Sequence, residues 1–483
     1  MTATTTNTAP PETIFAPATL PGRAALTVMR LSGPAAGPAL AALAGPLPAP
    51  RYAARRRIAD PATGEPLDDG LVLWFPAPHS ATGEDVAELH LHGSRAVLAA
   101  IIDALGRLGL RLAEPGEFTR RAFLNGKLDL VQAEAIADLA AAETEAQRRQ
   151  AMRQLDGALG NLYRGWATRL LGSLAHLEAA IDFPDEDLPP EIEERVAAET
   201  AALADEIASH LADGHRGERL REGIGVAIVG PPNAGKSSLL NRLARREAAI
   251  TSPIAGTTRD VIEVAIDLAG YPVVLADTAG LRDSADAVEQ EGLRRALARA
   301  QTADLRLFVY DASRPQDGAG AAAWPGADTL LVANKIDLLP FSPSPAMQER
   351  VAAGEPRPGD GAGDGAATSR LIPTFSCDGV KRETSDAFPV SALTGDGLDR
   401  LLASLADRVA DKYRIEAPVL TRARHREALQ TALAALQRAA GAALPELRAE
   451  DLRLAWRSLG HITGTVDVED LLDIIFAEFC IGK

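Results

Sequence analysis

Apolar positions change their period several times along the 483 residues, and each change marks a change of architecture. Residues 25–31, 70–75 and 86–91 are short apolar runs of strand type. Between 96 and 108 apolar residues return at every third and fourth place, the spacing of a helix with one buried stripe. These pieces predict a compact α+β domain that begins near Ile14, after a Thr-, Ala- and Pro-rich tail. From 128 to 220 Ala, Glu and Arg dominate and breakers are scarce outside the acidic turn 182–191, which predicts long antiparallel helices. At 224 the strand pattern returns. Segments 224–229, 261–268, 272–276, 305–310, 329–333 and 389–390 alternate with helical stretches such as 238–245, as in an α/β fold. Helical periodicity resumes from 420 to 479, so helical sequence flanks the α/β part and predicts an inserted domain. Between 340 and 387 Pro, Gly, Ser and Asp displace the apolar pattern, which predicts a flexible insertion.

Composition narrows the class. With 46% hydrophobic and 24% charged residues the chain is an ordinary globular one, long enough for about three domains. The balance of 50 Lys and Arg against 66 Asp and Glu gives −16, which argues against a protein that coats nucleic acid through clustered cations and leaves room for a local basic patch. Two cysteines, Cys377 and Cys480, give no disulfide framework, so a reducing, cytoplasmic setting is expected. The first cation is Arg23 and no run of about 18 apolar residues occurs, so neither a secretory signal nor a membrane span is expected. Lysine is confined to Lys127, Lys236, Lys335, Lys381, Lys412 and Lys483, and all other cations are Arg; such bias keeps Lys where a compact ammonium is needed.

Gly230-Pro231-Pro232-Asn233-Ala234-Gly235-Lys236-Ser237 follows a strand pattern and opens a helix pattern, which is the context of a phosphate loop. Glycines let backbone N–H groups turn toward a phosphate, Lys236 neutralises the β and γ oxygens, and the Ser237 hydroxyl is suited to Mg²⁺. Asn233, Ala234, Gly235 and Ser238 complete the predicted phosphate contacts. Thr257-Thr258, Asp277-Thr278-Ala279-Gly280, Asn334-Lys335-Ile336-Asp337 and Ser391-Ala392-Leu393 follow in the order of a GTPase. Asp277 is expected to hold Mg²⁺ through water, Thr258 to close on Mg²⁺ and the γ-phosphate, and the Gly280 N–H to sense that phosphate. The Asp337 carboxylate can accept from both guanine N1–H and its exocyclic amine, a pair adenine lacks, so GTP is the expected nucleotide. Lys335 would lie along the base, with the Ser391–Ala392 backbone at the guanine carbonyl.

Leu281 follows Gly280 and cannot orient an attacking water, so another group must do so. Asp283, Asp286, Glu289 and Glu291 are all candidates on spacing alone. No arginine finger is identifiable, but the Asn233 side-chain oxygen could help hold a monovalent cation, K⁺, whose charge would stand in for one.

These residues, with Thr13-Ile14-Phe15-Ala16-Pro17, Arg30-Leu31-Ser32-Gly33, Thr82-Gly83-Glu84-Asp85-Val86-Ala87-Glu88, Pro115-Gly116-Glu117-Phe118, Arg121-Ala122-Phe123-Leu124-Asn125-Gly126-Lys127, Gly256-Thr257-Thr258-Arg259-Asp260 and the terminal Cys480-Ile481-Gly482-Lys483, resemble the MnmE/TrmE family of tRNA-modification GTPases over nearly the whole chain. The resemblance implies a multidomain α/β plus α fold: an α+β folate-binding and dimerisation domain (1–125), a discontinuous helical domain (126–221 and 413–483), and an inserted Ras-like P-loop G domain (222–412) carrying the 340–387 insertion. It implies that Arg30, Glu88 and Lys127 contact a one-carbon tetrahydrofolate (5-formyl- or 5,10-methylene-tetrahydrofolate). On the residues alone Arg30 and Glu88 read as surface charges.

The same resemblance places K⁺ on Asn233, Ser252, Ile254 and Thr257, Mg²⁺ on Ser237 and Thr258, and the catalytic carboxylate on Glu289. It implies a homodimer whose G domains pair during hydrolysis. It further implies a heterotetramer with an MnmG-type flavoprotein that brings FAD and NADH, and a carboxymethylaminomethyl group on C5 of the wobble uridine of certain tRNAs. Cys480 stands four residues from the end, but a terminal Lys483 does not suit prenylation. It is a possible nucleophile on a tail that reaches the folate or uridine site. A ribosome-assembly GTPase shares the loop Asn and the Gly-Thr-Thr-Arg run, yet this chain shows one phosphate loop and no Gly-x-x-Gly RNA clamp after it.

Overall fold

The computed structural model describes residues 12–20, 22–182, 191–246, 263–277, 300–324, 328–339, 387–415, 417–466, 469–477, 479 and 482. The chain divides into two compact units, one of Met1–Ala141, Ala151–Ala212 and Ala423–Lys483, the other of Ala142–Gln150 and Asp213–Arg422.

The first unit opens with a six-stranded sheet: β1 (Ile14–Pro17), β2 (Ala24–Ser32), β3 (Ala54–Ala59), β4 (Pro66–Phe75), β5 (Val86–Gly93) and β6 (Arg111–Leu112), ordered β3-β4-β5-β2-β1-β6. Met29, Leu31, Val72, Leu89 and Leu91 alternate along their strands and point to one face. There helices α1 (Ala36–Ala44) and α2 (Arg95–Arg107) cover them with Leu40, Leu43, Ile101 and Leu105. Ser94 caps α2 by accepting from the Val97 N–H at 3.1 Å. On the other face of β1, Ile14 and Ala16 pack with Phe118 of α3 (Glu117–Leu124). The predicted runs at 25–31, 70–75, 86–91 and 96–108 all lie on elements. The short β1, β3 and β6 and the helices α1 and α3 are additional.

Helices α4 (Leu130–Ala141), α5 (Glu145–Leu155), α6 (Ala158–Asp182) and α7 (Glu191–Leu211) form the middle segment, and the C-terminal helices Ala423–Gly441, Pro445–Thr463 and Glu469–Ala477 return to it. Helix α4 carries a buried charged group. Glu134 of α4 is fully buried, gripped by Arg424 at 2.6 and 2.7 Å and by His425 Nε2 at 2.9 Å. Arg424 also donates to the carbonyls of His461 and Ile462, and so ties α4 to the end of helix Pro445–Thr463.

The second unit holds helix α8 (Arg216–Glu222) and an α/β sheet of β7 (Ile224–Val229), β8 (Glu263–Leu268), β9 (Tyr271–Asp277), β10 (Leu305–Asp311), β11 (Thr329–Asn334) and β12 (Phe388–Pro389), ordered β12-β11-β10-β7-β9-β8. All neighbours are parallel except β8 with β9. Ile224, Val226 and Ile228 face α9 (Lys236–Arg246) and helix Leu398–Tyr413. Ala227 and Val229 face the other core with Phe308 and Tyr310. Burial on both faces explains why these strands read as unbroken apolar runs. The six predicted strands stand where expected, the last shifted to Phe388–Pro389; residues 261–262 and the predicted insertion from 340 to 386 lie outside the described residues. The fold is therefore an α+β N-terminal domain, a helical domain in two chain segments and an inserted P-loop G domain.

Candidate nucleotide site and N-terminal site

The loop after β7 is shaped by residues that leave the helical and extended regions. Gly230 has φ +141°, and a Cβ there would collide with the Val309 carbonyl oxygen. Gly235 has φ +91°, and a Cβ there would strike Asn334 Nδ2. Between them Asn233 takes φ +61°, a left-handed conformation that asparagine tolerates better than most residues. The turn delivers Lys236 to the first turn of α9, where it is 7% exposed and donates to the carbonyls of Gly230 (2.9 Å) and Pro231 (2.8 Å). Burial pulls this ammonium below the ordinary lysine range, and the Asp277 carboxylate acts against that pull. Asp277 stands beside Ile228 in the β7–β9 ladder, at the phosphate-loop end of the sheet. The exposed Ser237 and Ser238 hydroxyls follow Lys236, while Ala234 is buried.

The segments predicted to recognise the base meet the same loop. Asn334 donates from Nδ2 to the Ala234 carbonyl at 2.8 Å, and its Oδ1 accepts the Ala392 N–H at 3.0 Å, so one amide ties three motifs. Lys335 adopts φ +66°, and its ammonium donates to Asp311 Oδ2 at 2.8 Å. The Ser391 hydroxyl donates to Asp337 Oδ1 and accepts the Thr394 N–H at 3.1 Å. Leu393 is 77% exposed beside them. The structure thus gathers Asn233–Ser238, Asp277, Asn334, Lys335, Asp337 and Ser391–Leu393 at one end of the sheet. Ser252, Ile254, Thr257, Thr258, Thr278, Ala279, Gly280, Glu289 and Cys480 lie outside the described residues, as do Asp283, Asp286 and Glu291. A hydroxyl at the start of α9 and a carboxylate at the end of β9 are hard oxygen donors, which suits Mg²⁺ carried by a nucleotide.

In the first unit, Arg30 of β2 and Glu88 of β5 are ladder partners. Their reading as simple surface charges is corrected here: Arg30 Nε and Nη2 approach Glu88 Oε1 at 3.0 and 2.9 Å, and both side chains are more than two-thirds buried. The Arg30 guanidinium lies 5.8 Å from the Phe118 ring centroid, and His90 Nε2 lies 3.3 Å from Glu88 Oε2. Lys127 does not join this pair. It packs beside Gly83 and donates to the Pro78 carbonyl at 3.1 Å. Ser32 contacts Thr82 and Glu84, each at 2.7 Å. Glu84 receives Arg121 at 3.0 Å, and Arg121 and Arg111 converge on Glu117. Burial alone would raise Glu117, but Arg111, the Glu114 N–H and Arg121 outweigh it and hold the carboxyl below its usual range. Gly482, with φ +95°, sits against Pro17, and a Cβ would collide with the Pro17 carbonyl. The preceding residue of β1, Ala16, is the ladder partner of Arg30. His90, Arg111 and Asp311 were not singled out in the sequence, since each matters through a partner that only strand register supplies.

Two family models match this chain. The model described as GTP-binding protein TrmE N-terminus matches residues 13–127, and the MnmE helical domain matches residues 130–480. The chain belongs to the MnmE/TrmE family of tRNA-modification GTPases. It is 56% identical to the tRNA modification GTPase MnmE of Rhodospirillum rubrum, covering 98% of this chain and 99% of that one. Those of Paramagnetospirillum magneticum and Parvibaculum lavamentivorans are each 55% identical, covering 98% of this chain and 100% of theirs. As a member of this family the chain hydrolyses GTP to GDP and phosphate. Among the described residues no helix is long and apolar enough to cross a membrane.

Proposed function

We propose that this GTPase acts in the cytoplasm on the wobble uridine of certain tRNAs. With an MnmG-type flavoprotein bringing FAD and NADH, it adds a carboxymethylaminomethyl group at C5, using a carbon from a tetrahydrofolate. The observation that carries the reading is the Arg30–Glu88 pair. It is a largely buried, hydrogen-bonded carboxylate and cation on a sheet of the same chain that holds a guanine-nucleotide loop. Glu88 Oε1 takes both Arg30 N–H groups, whereas Oε2 faces His90 and keeps a further lone-pair direction, which suits an N–H group of a pterin. Lys127 would serve the acidic end of the ligand from the Pro78–Gly83 side. When bound, the folate supplies the one-carbon unit; the chain's residues orient it. The seating of Gly482 on Pro17 supports a terminal tail, with Cys480, that reaches this site.

Asn233, Ser252, Ile254 and Thr257 would hold K⁺, whose charge opposes that developing on the phosphates. Ser237 and Thr258 would hold Mg²⁺, and Glu289 would position the attacking water. Asn233 is exposed on its loop in a conformation that presents it outward, which suits a cation ligand. The domains are assigned as 1–125, 126–221, 222–412 and 413–483. Two copies pair through the N-terminal domains, and paired G domains drive a conformational cycle.

The test is nucleoside analysis of tRNA from cells that lack this protein, complemented with the wild-type chain or with Glu88→Ala. Restoration of the modified wobble nucleoside by the wild type and not by the variant is expected. Restoration by both would remove the role given to Glu88, and by neither would remove the tRNA function.

A further inference from the structure

Asn334, Lys335 and Asp337 carry guanine recognition in the reading above, and the present inference rests on that reading. Nothing within that run explains what fixes Lys335. Its backbone lies at φ +66°, a conformation that a residue with a long side chain rarely adopts. The neighbours on either side are held by backbone bonds: the Ala312 N–H donates to the Asn334 carbonyl at 2.7 Å, and the Ile336 N–H donates to the Val390 carbonyl at 3.2 Å. The Lys335 side chain is held by Asp311, the last residue of β10 and the ladder partner of Asn334. Asp311 Oδ2 accepts the ammonium at 2.8 Å. Its Oδ1 accepts the Ser313 N–H at 2.9 Å and the Ser313 hydroxyl at 2.7 Å. Two donors from Ser313 therefore lock the orientation of this carboxylate before Lys335 meets it. The stem of Lys335 in turn passes over Gly235 of the phosphate loop.

We propose that Asp311 is a positioning residue for guanine-nucleotide binding: it fixes the Lys335 ammonium so that the lysine stem is laid out along the plane that the base and ribose occupy. Asp311 touches no nucleotide atom in this account and acts only through Lys335. A charged hydrogen bond with a pre-oriented acceptor removes rotamers that an unanchored lysine would have to give up when nucleotide binds.

The experiment is a double-mutant cycle on GDP affinity in the full chain with Mg²⁺ present, using a fluorescent guanine nucleotide, for wild type, Asp311→Ala, Lys335→Ala and the double variant. Asp311→Ala is expected to weaken affinity about tenfold, the size of one charged hydrogen bond. The double variant should be no weaker than Lys335→Ala, because both changes cut the same link. Asp311→Asn, which keeps an accepting oxygen, should recover most of the loss. In GTP turnover Asp311→Ala should raise KM and leave kcat within about twofold. Additive losses in the cycle, or an Asp311→Ala affinity within twofold of wild type, would overturn the proposal. Asp337→Asn is the control for the reading beneath it. Exchanging an acceptor for a donor should shift preference from GTP toward xanthosine triphosphate. If it does not, the base site itself is misassigned, whatever Asp311 does.

Discussion

Asn233 and Glu289 carry the residue-scale part of the account, because the chain has Leu281 where water orientation would be expected and no identifiable arginine finger. GTP turnover in KCl should therefore exceed that in NaCl at equal ionic strength, and the excess should disappear in Asn233→Ala. Glu289→Ala should bind GTP and turn it over about 10²-fold more slowly, the usual worth of a positioned proton acceptor. Equal rates in the two salts, with Glu289→Ala unimpaired, would remove both roles. The phosphate loop was legible at this scale because its chemistry sits in contiguous residues, each with a stated physical duty. Asp311 was not, since its partner is 24 residues away and is brought beside it by the parallel register of β10 and β11. Arg30 and Glu88, 58 residues apart, needed both the family resemblance and the antiparallel β2–β5 ladder before they became a pair.

Among elements, legibility followed burial. Strands β7, β10 and β11 are covered on both faces and announce themselves as apolar runs, whereas β3 reads Ala-Arg-Arg-Arg-Ile-Ala and buries only Ile58 deeply at a sheet edge. β6 has two residues, too few for any period. Helix α9 stands on Leu239, Leu240 and Leu243, so Leu240→Ala should cost about 2–5 kcal/mol of stability in denaturant unfolding, with nucleotide affinity falling with it.

Helix α4 poses an electrostatic question that periodicity could not raise, because Glu134 is a buried charge. Burial by itself would raise its carboxyl, yet His425 and Arg424 outweigh burial and hold it well below the ordinary glutamate range. A carboxyl depressed on folding adds stability above its unfolded value, near 4.5, and that contribution drains away as pH falls toward the folded value. Glu134→Gln should cost about 3–5 kcal/mol at pH 7, as expected when one member of a buried ion pair is removed. The penalty should shrink as unfolding is repeated at pH values below about 4.5. A pH-independent penalty would show that packing, rather than the charge, is what Glu134 contributes.

At the scale of the whole molecule, one chain joins a GTP-hydrolysing unit to an N-terminal sheet against which its Gly482 is seated. Gly482 can hold its place only without a side chain, so Gly482→Ala should reduce tRNA modification about tenfold or more, the order by which small misplacements of reacting groups slow reactions. GTP turnover should stay within about twofold of wild type. Loss of both would mean that the tail supports stability instead. The most direct test of the central claim is carbon transfer. The purified chain, the FAD-dependent partner, NADH, GTP, glycine or ammonium, and unmodified tRNA would be combined with tetrahydrofolate labelled in its one-carbon unit, and the wobble nucleoside examined by mass spectrometry. The account predicts one labelled carbon on C5 of uridine, absent with Glu88→Ala or without GTP. Unlabelled uridine product, or no product while GTP is being hydrolysed, would contradict it.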